Sequence, residues 1–290
     1  MKKIIILIPV YNDWESFTKL INNISKNIKD YENIEFECMV VNDASTINQP
    51  TIIKPKNIKS LQILNMKKNK GHARCNAFGI RYVYKNKDFD NLILMDGDGE
   101  DRPVEIKSLI NKILKKPNIS VVAKRIKRSE GLFFQLLYQI HKTITYIFTG
   151  KKVNFGNYSC LTKKDVEKIH SDPSLWSSYS GTVKKNLQTL EEVNSIRGIR
   201  FFGQSKMSFF KLLVHSLSII AVFKYQVFLR STFMVIILAY LNLYLGNISI
   251  FLQILLILFN LMIFLISLRE KKDELINSHN NLSTIKNITH

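Results

Sequence analysis

The stretch Asn91-Leu92-Ile93-Leu94-Met95-Asp96-Gly97-Asp98-Gly99-Glu100-Asp101-Arg102-Pro103 joins a short apolar run to a dense acidic turn and a proline. An uncharged aliphatic run of that length reads as a strand buried on both faces, as in a parallel sheet. Pro103 suits the first turn of a helix, where the amide it lacks would have no partner anyway. The carboxylates therefore stand at the carboxyl end of a strand, where open α/β sheets bind their ligands. Asp96, Asp98 and Glu100 alternate along the turn and offer hard oxygen ligands suited to Mg2+ or Mn2+. Two other readings compete. An EF-hand loop would need Gly at its sixth position and Glu at its twelfth, but Asp101 and Lys107 stand there. A solvated acidic turn capping the helix after Pro103 is the plainer alternative. Its place after a fourth apolar strand favours the ligand site.

Outward from this turn the same alternation repeats. Ile4–Ile8, Phe36–Val41, Leu61–Leu64, Asn91–Met95 and Ser120–Ala123 read as buried strands. Helical patterns cover Trp14–Asn27, His72–Tyr84 and Val104–Leu114. Strand–helix alternation predicts an α/β domain with a mainly parallel sheet flanked by helices. The residues just after each strand are Pro9-Val10-Tyr11-Asn12-Asp13, Asn42-Asp43-Ala44-Ser45 and Asn69-Lys70-Gly71-His72-Ala73-Arg74, besides the acidic turn. Polar groups from four strand ends thus converge on one edge, as a polar ligand with a cation requires.

Composition narrows the partners. The chain carries 42 Lys and Arg against 23 Asp and Glu, a formal charge of +19, which favours anionic ligands or an anionic surface. No nucleic-acid motif or interleaved aromatic platform accompanies that charge, so nucleic acid is not an expected partner. No G-x-G-x-x-G fingerprint and no P-loop is present, which removes the best support for dehydrogenase or kinase chemistry. Cys38, Cys75 and Cys160 are odd in number and unpaired by spacing, and so read as buried thiols.

The carboxyl-terminal part differs in kind. No residue from Ser231 to Leu268 is charged. A single helix of that length would measure roughly 57 Å, against a hydrocarbon core of about 30 Å. Gly246-Asn247 divides the run into two predicted spans, Val227–Leu245 and Ile248–Leu268, with Arg230 expected to snorkel to the interface. A buried helical hairpin is the alternative. Lys224 and Arg230 at the start of the first span, with Arg269, Lys271 and Lys272 after the second, place both ends on the cytoplasmic side. Ile4–Ile8, cut short by Pro9, does not resemble a signal peptide. Residues 132–148 and 207–223 pattern as amphipathic helices of the membrane surface, or as helices packed on the core. Asn277–His290 is polar without a clear period and is expected to be disordered. The predicted organisation is a cytosolic domain over 1–225, two membrane helices over 226–269 and a polar cytosolic tail over 270–290.

Taken in order, Ile8-Pro9-Val10-Tyr11-Asn12-Asp13, Val41-Asn42-Asp43-Ala44-Ser45, Lys70-Gly71-His72-Ala73-Arg74, Asp96-Gly97-Asp98, Ala123-Lys124-Arg125 and Gly203-Gln204-Ser205-Lys206-Met207 resemble the landmarks of a family 2 glycosyltransferase. The similarity is to its GT-A fold and to the polyprenyl-phosphate sugar transferase branch related to dolichyl-phosphate mannose synthase, over about residues 3–225. The resemblance implies a metal-dependent, hexosyltransferase-like enzyme that uses a nucleotide-sugar donor. It implies a nucleotide-sugar site of Pro9, Tyr11, Asp13, Asp43, Gly71, Arg74 and Asp96. It also implies a metal site of Asp96, Asp98 and Glu100 for Mg2+ or Mn2+, and Arg125 and Lys206 at phosphate oxygens. Asp96, Asp98 and Arg125 would be catalytic, the acceptor would be a polyprenyl phosphate or other lipid, and the branch admits a homo-oligomer. Asn42 and Glu100 depart from the usual Asp and Gln, the first touching base recognition and the second adding a ligand charge. Transfer to a glycan or glycolipid hydroxyl is the alternative reaction, with Asp101 as its candidate base. A membrane-tethered protein binding an anionic ligand is the non-enzymatic alternative.

Overall fold

The computed structural model describes residues 1–127, 132–204 and 208–289. In chain order its first half comprises β1 (Lys2–Val10), α1 (Trp14–Ile28), β2 (Ile34–Asn42), β3 (Ser60–Met66), α2 (His72–Asn86), β4 (Asn91–Leu94), α3 (Ile106–Lys115), β5 (Val121–Lys127) and α4 (Leu132–Thr149). There follow β6 (Phe155–Thr162), α5 (Lys163–Ile169), α6 (Tyr179–Asn186), β7 (Glu191–Ile196), α7 (Phe209–Ala221), α8 (Lys224–Tyr240), α9 (Asn242–Leu245), α10 (Asn247–Ser267), α11 (Lys272–Ile276) and β8 (Leu282–Ile288). One 8-stranded sheet runs in the order β7-β5-β6-β4-β1-β2-β3-β8. The pairs β1–β2, β1–β4, β2–β3 and β5–β7 are parallel, while β4–β6, β5–β6 and β3–β8 are antiparallel.

Period-two alternation along β1 explains the two layers. Ile4, Ile6 and Ile8 point into a core shared with Phe17, Leu20 and Ile24 of α1 and Leu109 and Ile113 of α3. Ile5 and Leu7 point the other way, against Phe78, Ile80 and Val83 of α2 and Val183 of α6. Both faces of β1 are therefore covered, which is why it reads as an unbroken apolar run.

The last elements depart from expectation at the tail. The tail expected to be disordered is instead folded: β8 pairs antiparallel with β3, Leu61 opposite Ile288 and Asn65 opposite Thr284. Its middle residues are exposed on an edge and bond through side chains, Gln62 to Asn287 at 2.7 Å and Asn65 to Thr284 at 3.0 Å. A strand built this way carries little apolar alternation for a sequence reading to find. Arg230 Nη1 donates to the carbonyl of Ile147 at 3.0 Å and satisfies an end group of α4. Among the described residues one helical stretch, Asn247–Ile276, is by itself long and apolar enough to cross a membrane. α7 and α8 meet that test only as a pair bent by 84°. Val227 of α8 and Ile263 of α10 are buried with Leu217 and Ile220 of α7, while Phe233, Ile236 and Ile237 of α8 and Ile254, Ile257 and Leu261 of α10 are exposed.

Candidate active site

Three strand ends of the parallel half build the first wall. Asn12 and Ala44 both take positive φ, 52° and 56°, so the chain turns sharply after β1 and after β2. The two turns lock together, because Asn12 Oδ1 accepts from the amides of Thr46 (2.7 Å) and Ile47 (3.1 Å). Asp43 is buried, and its two oxygens accept the amides of Lys70 and Gly71, each at 2.9 Å. Burial raises its pKa, against the pull of those two amides. Asp43, implied by the resemblance to sit at the nucleotide-sugar, thus pins the turn between β3 and α2.

β6 contributes what the sequence reading missed. Its register sets Ser159 opposite Leu94, and two residues farther Asn157 faces Asp96. Asn157 Nδ2 donates to Asp96 Oδ1 at 2.9 Å, and His72 Nε2 lies 3.3 Å from the same oxygen. Burial opposes the charge on Asp96, but His72, Asn157 and Arg125 outweigh it and hold this carboxyl well below the usual carboxylate range. Burial likewise disfavours a charged His72, yet Asp96, Asp98 and Asp101 raise its pKa overall. His72, at the start of α2, is thereby part of the site.

The remaining acids find different partners. Burial, then the charges of Asp96 and Glu100, push the pKa of Asp98 up. Asp98 Oδ1 accepts the Glu100 amide at 3.0 Å and Oδ2 accepts Arg200 Nη1 at 2.9 Å. Glu100 pairs with Arg197, and Asp13 with Arg200. Asp101 is buried, receives the Asp96 amide at 2.9 Å and stands 3.8 Å from Arg125 Nη2. Burial and Asp96 raise its pKa. A base for an incoming hydroxyl needs access to it, so Asp101 reads as a brace for the acidic turn.

Among the described residues, no three of His, Cys, Asp and Glu converge as a ready cation site. The alternation that suggested three joint ligands instead distributes Asp96, Asp98 and Glu100 among Asn157, Arg200 and Arg197. Asp96 and Asp98 still fit a hard cation, since each raises the cost of the other's charge and a divalent ion would relieve it. Arg125 stands beside them. Tyr11 is exposed at the rim, Pro9 lies under Gly97, and Gly71 opens α2. Arg74 turns instead toward Trp176, 5.9 Å from its ring centroid. Lys206 lies outside the described residues. Arg197 and Arg200 were not foreseen; their only sequence signal is a pair of arginines just after a strand and ahead of Gly203.

A family model described as Glycosyl transferase family 2 matches residues 5–166. The chain belongs to that family. The transferase is 24% identical, over 73% of its length, to undecaprenyl-phosphate 4-deoxy-4-formamido-L-arabinose transferases of Proteus mirabilis and Photorhabdus laumondii. It spans 65% of the length of each. Among solved structures it resembles glucosyl-3-phosphoglycerate synthase of Mycobacterium tuberculosis, crystallised with Mn2+, UDP-glucose and phosphoglyceric acid. That likeness has a TM-score of 0.53 at 12% identity, covers 78% of this chain and 80% of that one, and speaks for the shared fold. The family match and the shared fold together make the chain a GT-A-like member of glycosyl transferase family 2.

Proposed function

We propose that the transferase moves its sugar onto a polyprenyl phosphate at the cytoplasmic membrane face, using Mg2+ or Mn2+. The observation that carries this reading is the placement of a phosphate-suited site on a domain whose α8 and α10 expose their apolar side chains. The relatives named for undecaprenyl phosphate support the same acceptor class. Asp96 and Asp98 would hold the divalent ion, which would neutralise the diphosphate leaving group. Asn157 and His72 fix the Asp96 carboxylate, so the site is organised before substrate arrives. Pro9, Tyr11, Asp13, Asp43, Gly71 and Arg74 belong to the walls around the nucleotide, though Arg74 must swing from Trp176 to reach it. Arg125 faces the acceptor phosphate, and Lys206 is proposed to share that task. A phosphate acceptor is already anionic and needs no general base, so positioning and charge stabilisation carry the rate. Membranes given a nucleotide-sugar and polyprenyl phosphate should form a monosaccharide on a lipid monophosphate, read by mass analysis. Sugar found only on a glycan hydroxyl would transfer the reaction to the alternative acceptor.

The membrane arrangement follows the same reading. β8 lies in the sheet of β1–β7, so the chain before α8 and the chain after α10 belong to one body. A bilayer can therefore be crossed only an even number of times between them. Lys224 and Glu270, paired at 2.7 Å, join the base of α8 to the end of α10. Two crossings, with both bases cytoplasmic, fit this pairing and the basic flanks. Labelling of single cysteines in intact cells checks it, with little background because Cys38, Cys75 and Cys160 are buried. Tyr244→Cys should react with an impermeant maleimide from outside, and Lys272→Cys only after permeabilisation. Equal labelling of both from outside would remove the two-span arrangement.

A further inference from the structure

We infer that residues 197–204 form an ion-pair latch over the acidic turn, in which Arg200 holds the place of a divalent cation and competes with it for Asp98. The inference rests on the proposed use of Mg2+ or Mn2+ by this site.

The strap is attached in two ways. Its backbone is seated on the turn: the Gly198 amide donates to the Glu100 carbonyl at 2.8 Å, and the Phe201 amide to the Asp98 carbonyl at 2.9 Å. The Phe201 ring lies where a side chain on Gly99 would be, within 2.6 Å of an ideal Cβ, and Gly99 has φ +90°. Lys19 of α1 sits 4.8 Å from the Phe201 centroid and 5.2 Å from that of Phe202. These contacts hold the strap without any help from Arg200.

The guanidinium adds something else. Arg200 Nη1 donates to Asp98, Nη2 pairs with Asp13, and Nε donates to the Phe202 carbonyl at 3.0 Å. A planar fork is the side chain suited to such a bridge. The bridge joins an acid of the β1–α1 turn to an acid of the metal turn. The side-chain exposures are 14% for Arg200, 15% for Asp13 and 17% for Asp98, so salt screens these pairs weakly. A divalent ion on Asp98 would sit against a cation on the same carboxylate. Release of Arg200 and binding of the ion are therefore linked, and each favours the other reciprocally. Arg197 on Glu100 closes the neighbouring acid in the same way. A nucleotide diphosphate supplies the alternative acceptor that both arginines need, so the site admits a cation together with its donor and resists a bare one.

The test is Mn2+ binding to the full-length protein in detergent without nucleotide, read from the loss of the free-ion EPR signal. Arg200→Gln should bind about tenfold more tightly than wild type, a coupling of ordinary size between two competing ligands. Arg200→Lys keeps the charge and should stay closer to wild type. Phe201→Ala leaves every charge in place but loosens the strap, and should tighten Mn2+ binding by a smaller factor. Equal affinities in all four proteins, or weaker binding by Arg200→Gln, would overturn the latch while leaving the metal assignment standing if Asp98→Asn still abolishes binding. Mn2+ binding that persists in Asp98→Asn would overturn both.

Discussion

Purified Asp98→Asn is expected to fold as the wild type does and to lose about 10³-fold in kcat/KM, on the scale of removing a principal electrostatic contact. The substitution keeps the shape of the side chain and an oxygen for the Glu100 amide, which donates to Asp98 at 3.0 Å. It removes the charge that would bind the ion. Stability should not suffer, because burial, Asp96 and Glu100 already push the pKa of Asp98 up and so oppose its charged form. A neutral amide relieves that opposition, at the cost of an anionic partner for Arg200. The thermal midpoint in detergent and the steady-state rate are the two measurements. EDTA should silence the wild type to the same degree, and full activity of Asp98→Asn in excess EDTA would remove the metal from the mechanism.

Gly97→Ala is expected to damage both stability and rate. An ideal Cβ at this position lies 2.8 Å from the carbonyl oxygen of Pro9, 3.3 Å from Ile8 Cγ2 and 3.4 Å from Val10 Cγ2. The nearest obstacle is backbone, and it belongs to β1, which is held by β2 on one side and β4 on the other. Neither strand can give way cheaply, so overpacking should cost about 1–3 kcal/mol, read as a lower urea midpoint. What does move is the turn, taking Asp96 and Asp98 with it. A displacement of about an ångström at such a site can cost about 10²-fold in rate. An unchanged midpoint together with unchanged kcat/KM would mean that the turn is not seated on β1.

The parts of the fold that were legible in the sequence share one property, which is burial on both faces. β1 and β4 carry unbroken buried aliphatic runs, β2 and β3 are mostly buried and apolar, and the carboxyl ends of such runs located the acidic turn. β6, with Asn157, Ser159 and Cys160 among its residues, mixes polar and apolar positions and escaped notice. β7 and β8 are edge strands with exposed faces, and their side chains answer to water and to each other. The same division runs through the site. Asp96 and Asp98 were visible as a local motif. Asn157, Arg197 and Arg200 gain their meaning from partners tens of residues away, a register and a strap that no short window contains. Arg230 shows the reverse case: its charge was plain in the sequence, but its partner, a carbonyl at the end of α4, was not.

The pairing of β3 with β8 also constrains the order in which the molecule can be made. Gln62 and Asn287, 225 residues apart, face each other across that edge. During synthesis β3 therefore emerges early and keeps one side open until residues 282–288 have left the ribosome. Pairing over such a separation is slow to form, since the intervening loop must close first. Here that loop includes α8 and α10, which must find their own apolar surroundings before residues 282–288 can return. An unfilled β3 edge is a template for joining another chain. A molecule whose helical pair has not been accommodated is thus left with an open sheet edge, and the last strand acts as the closing stitch of the whole assembly.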